Sequence, residues 1–459
     1  MPRRKNQRLD SPKQKLSPTM TTGSLVLVAV GSIIGAGFFL GCGVPLFNTG
    51  KAAILAYLLG GIFMVLIISI LAEIASVEPI EGGFSAYAEE YYGPCLGFVS
   101  GWMYWTSGIL TMASEVVAAS IFTRLWLPFL PLWTFAIFYS VIMILINTRD
   151  TTGFARTEGT LSILKILALA AFIVFAGYGF TKLFLASNPL LKKALEQSPF
   201  FAHGWQGFWS SLPFVMFGYT GISVLAMAAA ETREPEKTIP KTIRIIVIFI
   251  LGLYLCSIFL ITLLLPVGST GTKISPFILT LNRLHLSWLA LIMNAVILIA
   301  ALSSMNTALY GVTRMLRSLG QRGDAPSRVS SLNRWGVPTA ALWVSSIALG
   351  LTITLSYFLP QTAFTSLSGA TSLVSMFNWG LIALIHIRFR KRNRTQRFFT
   401  LWGYPWTSYL AFILAIIVIA SAWLMPGQRV GLIGLFVLFS LYSLMYRIKA
   451  FNAKKQAIN

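Results

Sequence analysis

Twelve apolar runs, each long enough to cross a lipid bilayer as a helix, follow one another through this 459-residue chain. They fall at about 22–47, 51–77, 95–122, 130–147, 160–181, 206–231, 241–266, 287–312, 338–358, 363–386, 402–424 and 429–447. A spanning helix takes roughly 20 apolar residues, and the apolar 56% of the chain supplies about twelve such helices. Only 11% of residues are charged, against about 25% in soluble domains. An ordinary soluble enzyme is excluded; the expected class is an all-α integral membrane protein. The first run follows a basic tail, as a secretory signal would. It is too long for one and lacks a small-residue cleavage site, so it is expected to be retained.

The net charge of +22 would suggest a nucleic-acid partner in a soluble protein. Here the basic residues lie between apolar runs and report orientation instead. Of 36 Lys and Arg, 27 fall in the two tails and the loops on one side, eight on the other, and Lys165 inside the fifth run. The rich side includes Arg3, Arg4, Lys5 and Arg8 in the tail and Arg388, Arg390, Lys391 and Arg392 after the tenth run. An inner membrane location with both termini cytoplasmic is expected, with the bilayer as partner and no nucleic acid. Cys42, Cys95 and Cys256 show no paired spacing and read as packing residues. His203, His285 and His386 read as solvated or interfacial. No metal site and no cofactor motif is seen.

Two of the runs carry glycine where a helix does not want it. The first contains Gly31-Ser32-Ile33-Ile34-Gly35-Ala36-Gly37, and the sixth Phe217-Gly218-Tyr219-Thr220-Gly221. Each glycine costs a plain helix about 1 kcal/mol. Close helix packing is one explanation; unwinding at mid-membrane is the other. If runs 1–5 and 6–10 are inverted repeats, the first and sixth runs correspond. Glycine breaks in matching positions point to a binding site. Free N–H groups near Gly35, Ala36 and Gly37 would then form a positive helix end suited to a carboxylate. Freed carbonyls near Ile33, Phe217 and Thr220 would accept from an ammonium. A ligand with both groups close together is an α-amino acid.

Three groups of motifs carry a resemblance to a known family. The first is Gly-Ser-Ile-Ile-Gly-Ala-Gly-Phe-Phe-Leu from Gly31, followed by Leu71-Ala72-Glu73, Pro79 and Gly101-Trp102-Met103-Tyr104-Trp105. The second is Ala230-Glu231-Thr232-Arg233-Glu234-Pro235 leading to Thr238-Ile239-Pro240. The third runs from Ser304-Met305-Asn306 through Arg314-Met315-Leu316 and Gly323-Asp324-Ala325-Pro326 to Gly336-Val337-Pro338. Together they resemble the amino acid–polyamine–organocation (APC) superfamily, in its bacterial amino acid permease branch. The resemblance implies a LeuT-like fold: a cytoplasmic tail (1–21), a first inverted repeat (22–181), a second (206–386), helices 11 and 12 (402–447) and a final tail (448–459). It places substrate at Ile33, Gly35, Ala36, Gly37, Phe217, Gly218, Thr220 and Ser223, with Phe217 as an aromatic gate. One position departs from the branch, which often has Gly-x-Glu where this chain has Gly221-Ile222-Ser223. A partner for a cationic substrate side chain is thereby missing.

Charges within the runs remain. Lys165 either snorkels to the cytoplasmic face or takes the place of a sodium ion, against carbonyls near Gly31 and hydroxyls near Ser303 and Ser304. Similar permeases carry lysine there, which implies a group that exchanges a proton during transport. Glu115 resembles the branch's third-helix glutamate, as proton relay or structural residue. Glu73 reads as structural, and Glu231 as a gate or packing ion pair. The expected function is secondary active import of a neutral L-amino acid with a proton, by alternating access. Rival readings are an obligatory exchanger, a permease for cationic amino acids or γ-aminobutyrate, and a membrane sensor that binds without flux. The oligomeric state is not encoded in these features.

Overall fold

Backbone polar groups have no water to bond in a bilayer, so an apolar chain satisfies them within helices. The computed structural model describes residues 21–458 apart from 79, 81, 149–151, 190–195, 197, 229–231, 233, 358–361 and 394–398. Among the described residues there is helix and no strand. Nine of its helical segments are long and apolar enough to cross a membrane, and three shorter apolar helices accompany them. Every apolar run of the sequence is occupied by helix.

The first run holds α1 (Thr22–Ile33), α2 (Ala36–Phe39) and α3 (Gly43–Thr49). Thr21 caps α1 with Ser24 in a capping box. Ile34 and Gly35 are extended, so the helix breaks at the expected glycine. Then come α4 (Ala53–Val77), α5 (Gly83–Tyr92), α6 (Pro94–Arg124), α7 (Leu132–Asn147) and α8 (Thr152–Leu185). The sixth run holds α9 (Gly204–Phe217), a single 3-10 turn at Thr220–Ile222, and α10 (Ser223–Ala228). It too breaks where its glycine lies. The chain continues as α11 (Pro235–Leu264), α12 (Pro276–Arg283), α13 (Ser287–Gln321), α14 (Thr339–Tyr357), α15 (Ala363–Arg392), α16 (Trp406–Ser421) and α17 (Pro426–Ile458). Proline opens α6, α11 and α12, where a missing N–H costs nothing.

The broken helices sit at the centre. Helix α1 packs on α8, α11 and α13, and α6 runs along both α13 and α15. Large apolar side chains such as Leu167, Val174, Ile347, Leu355, Val430 and Phe436 point outward, as a lipid-facing surface requires. Two short helices, α5 and α12, were not expected from apolar runs, since neither has a long one. A further correction concerns His386, expected to be solvated or interfacial. It is fully buried, with Nδ1 2.8 Å from Ser408 Oγ and Nε2 3.2 Å from a Glu73 carboxylate oxygen. Cys256, expected to pack, is exposed.

The C-terminal end of α4 is tied to the C-terminal end of α15 by charge. Glu73, fully buried, accepts from Arg390 Nε at 2.5 Å and Nη2 at 2.6 Å, and from the Leu401 N–H at 2.7 Å. Helix α5 joins this end through Glu90, which accepts from Arg392 at 2.5 Å, and Glu78, just past α4, accepts from Asn393 at 2.9 Å.

Candidate functional site

Both breaks lean on each other. Ser32 Oγ donates to the Gly221 carbonyl at 2.9 Å, across the junction between α1 and the 3-10 turn. Tyr254 of α11 donates its hydroxyl towards two freed carbonyls, Ile33 and Gly218, each at 3.1 Å. Glycine is required at this contact. A Cβ on Gly221 would sit 2.6 Å from the Ile33 nitrogen and closer still to the Ser32 carbonyl. Gly221→Ala should therefore force the breaks apart, at an overpacking cost of roughly 1–3 kcal/mol. A loss of substrate affinity or melting temperature in purified protein checks this; unchanged values for both would contradict it.

A cavity of about 50 Å³, counted as space open to the centre of a water molecule, lies at the junction. It draws on both breaks and on three further helices. Ile33, Gly37, Phe217, Thr220 and Ser223 line it, together with Glu115 of α6 and Ser304 of α13. Gly35, Ala36 and Gly218, also expected at the site, stand behind the lining rather than in it. Phe217 is buried and meets the Phe364 ring edge-on at 6.1 Å. Phe364 in turn lines a separate cavity of about 770 Å³ with Val117, Ile121 and Arg124. Phe217 and Phe364 thus stand where the two cavities approach each other.

Several groups that the sequence reading left free are engaged. The Ala36 N–H donates to Glu115 Oε2 at 2.9 Å, so a protein carboxylate holds the position reserved for a ligand's. A Cβ on Gly35 would come within 2.5 Å of Glu115 Oε1 and 2.7 Å of Ser304 Oγ, which explains the glycine. The Phe217 carbonyl accepts from Thr220 Oγ1 at 2.9 Å. Ser223 Oγ accepts from Trp379 Nε1 at 3.1 Å and faces the cavity where the branch often has a carboxylate.

A second cluster lies beside the first and shares no lining residue with it. Lys165 is fully buried and donates to the Gly31 carbonyl at 2.5 Å, so it does not snorkel. Glu158, two turns earlier on the same face of α8, lies 3.7 Å away. Among the described residues Lys165 bonds to the Gly31 carbonyl and pairs with Glu158 rather than with Ser303 and Ser304. Ser303 donates instead to Glu158, and Ser304 lies 3.5 Å from the Ser32 carbonyl. Glu231 lies outside the described residues.

The Amino acid permease model matches residues 24–457, nearly the whole chain. The chain belongs to the amino acid permease family. It is 30% identical over 448 residues to the aromatic amino acid transport protein AroP of Escherichia coli K12, covering 96% of this chain and 97% of AroP. The AroP of Salmonella typhimurium LT2 is 31% identical, over 91% of this chain and 92% of its own. The amino-acid permease AapA of Bacillus subtilis is 30% identical, over 96% and 97%. This permease is accordingly a multi-pass membrane transporter and not an enzyme.

Sequence reasoning missed part of this permease's cavity. Tyr104, Ser107 and Thr111 line it below Glu115, along one face of α6. Their spacing of three, four and four residues is a polar stripe at helical period in an apolar run. Thr307, Ala308 and Ser375 add to the lining from α13 and α15. Glu158 was missed as well, although it stands seven residues before Lys165 and so on the same helix face.

Proposed function

We propose that this permease imports a neutral L-amino acid together with a proton, by alternating access about the junction of its two broken helices. One observation carries the reading: a single small cavity is built from both breaks at once. Around it we assign a LeuT-like arrangement of twelve spans, with two inverted five-helix repeats (22–181 and 206–386) and helices 11 and 12 (402–447) appended. Both tails lie in the cytoplasm of an inner membrane, on the side that carries most of the basic residues.

The substrate carboxylate takes the N–H groups of the Gly35-Ala36-Gly37 turn. Glu115 must leave the Ala36 N–H for this, and it leaves most readily by binding a proton. A protonated Glu115 carries no charge to repel the incoming carboxylate. The substrate ammonium takes the carbonyls of Ile33, Phe217 and Thr220, with Tyr254 and the Thr220 hydroxyl yielding two of them. Gly218 lets the second break turn, and Phe217 closes over the substrate against Phe364. Lys165, bonded at Gly31, holds the positive charge that a sodium ion would supply.

A neutral side chain is favoured by the lining. Among the described residues Glu115 is the one charged side chain in it, and Ser223 offers a hydroxyl. Aromatic amino acids are the first candidates, since two of the relatives carry that substrate in their names. A thermal-shift screen of the purified permease over the common amino acids tests this. Stabilisation by neutral, above all aromatic, amino acids is expected. Stabilisation confined to lysine, arginine or γ-aminobutyrate would overturn it.

A further inference from the structure

We propose that Glu158 is the proton acceptor of Lys165, the group through which the bound proton leaves for the cytoplasm. The inference rests on the proton-coupled reading above and adds to it the residue that completes the path. Glu158 is fully buried, yet it is two helical turns from Lys165 towards the start of α8. At 1.5 Å per residue the two backbone positions are about 10 Å apart along the axis, Glu158 lying on the side assigned to the cytoplasm, while the side chains reach to within 3.7 Å of each other.

The surroundings of Glu158 suit a carrier better than a structural anchor. Its Oε1 accepts from Ser303 and lies 3.7 Å from Lys165 Nζ. Its Oε2 is buried and makes no hydrogen bond among the described residues. A carboxylate kept only to neutralise a lysine would be expected to satisfy both oxygens, since a buried unpaired one costs free energy. An open Oε2 is the atom a proton would occupy. Gly31 is explained by the same geometry, because a Cβ there would collide with Glu158 Oε1 and Ser162 Oγ.

Two consecutive serines of α13 order the path. Ser304 stands against Glu115 and Ser303 donates to Glu158, with Lys165 between the two carboxylates. The charged groups acting on Lys165 are Glu158 on its own helix and Glu115 from α6. From α1 it meets the Gly31 carbonyl, and beside Glu158 stands the neutral Asn306 of α13, which accepts from Asn147 of α7 at 2.6 Å. In the proposed step an N–H bond of the Lys165 ammonium breaks and an O–H bond forms on Glu158. A charged pair becomes a neutral pair, so the net charge of the pair stays zero throughout the step. The Glu158 carboxyl then gives its proton to cytoplasmic water, and the Lys165 amine takes the next proton from the Glu115 side.

The test uses the full-length permease in proteoliposomes with a labelled mixture of neutral amino acids that includes phenylalanine. Accumulation under an inward proton gradient is compared with counterflow in its absence. Glu158→Gln should lower accumulation at least about tenfold while keeping counterflow within about twofold, and Glu158→Asp should recover part of the accumulation. Wild-type accumulation by Glu158→Gln would overturn the proposal. So would equal loss of accumulation and counterflow in a variant that elutes and melts as wild type, since a structural role gives that result. If the wild type itself ignores the proton gradient, the proton-coupled reading fails and this inference with it.

Discussion

Arg390→Ala should destabilise the permease by roughly 3–5 kcal/mol, the usual consequence of removing one partner from a buried ion pair. Arg390 and Glu73 are joined by two charge-assisted bonds, and the Arg390 Nη2 also reaches the Leu401 carbonyl at 2.8 Å. The Glu73 side chain is fully buried and that of Arg390 is 7% exposed. Truncation leaves the carboxylate in an apolar interior with only His386 and the Leu401 N–H for company. The detergent-solubilised melting temperature should fall on the order of 5–10 °C. Arg392→Ala is the control. Its bond to Glu90 is just as short, but the partners are 59% and 45% exposed, and such pairs contribute at most about 1 kcal/mol. Equal shifts for both variants would show that burial does not set the strength of this end of the molecule.

Lys165→Met should abolish concentrative uptake while the protein still folds. Methionine fills the volume of the lysine stem and removes the ammonium. The Gly31 carbonyl then loses its 2.5 Å donor, and no proton-exchanging cation remains between Glu115 and Glu158. Accumulation under a proton gradient should drop at least about a hundredfold, as expected for a group that acts in every cycle. Binding of substrate to the purified variant, read by thermal shift, should survive, because Lys165 is not in the cavity lining. Full transport by Lys165→Met would reduce the lysine to a packing residue.

Much of this architecture is legible in the sequence because a bilayer leaves few choices. An apolar run of the right length becomes a helix, and glycine clusters at Gly35 and Gly218 mark where two of them stop. The short helices α5 and α12 escape because they have no long apolar run to announce them. Contacts between distant runs escape for a different reason. That Tyr254 donates to Ile33 and Gly218, or that Ala36 is capped by Glu115, depends on which helices become neighbours. Periodicity within one run says nothing of that. Glu158 was within reach of sequence reasoning, since its spacing from Lys165 puts both on one face. It lies just before the fifth apolar run, outside the stretch in which a charge stands out against apolar neighbours. His386 misled because it stands at the end of a run, yet it is buried between Ser408 of α16 and Glu73 of α4.

The central claim is that the junction of the broken helices carries an amino acid and a proton together. Uptake of labelled phenylalanine and other neutral amino acids into proteoliposomes, under an imposed proton gradient or an imposed sodium gradient, tests it most directly. The account predicts accumulation above equilibrium with the proton gradient and none with sodium alone. Accumulation driven by sodium alone, or exchange without net uptake under either gradient, would contradict it.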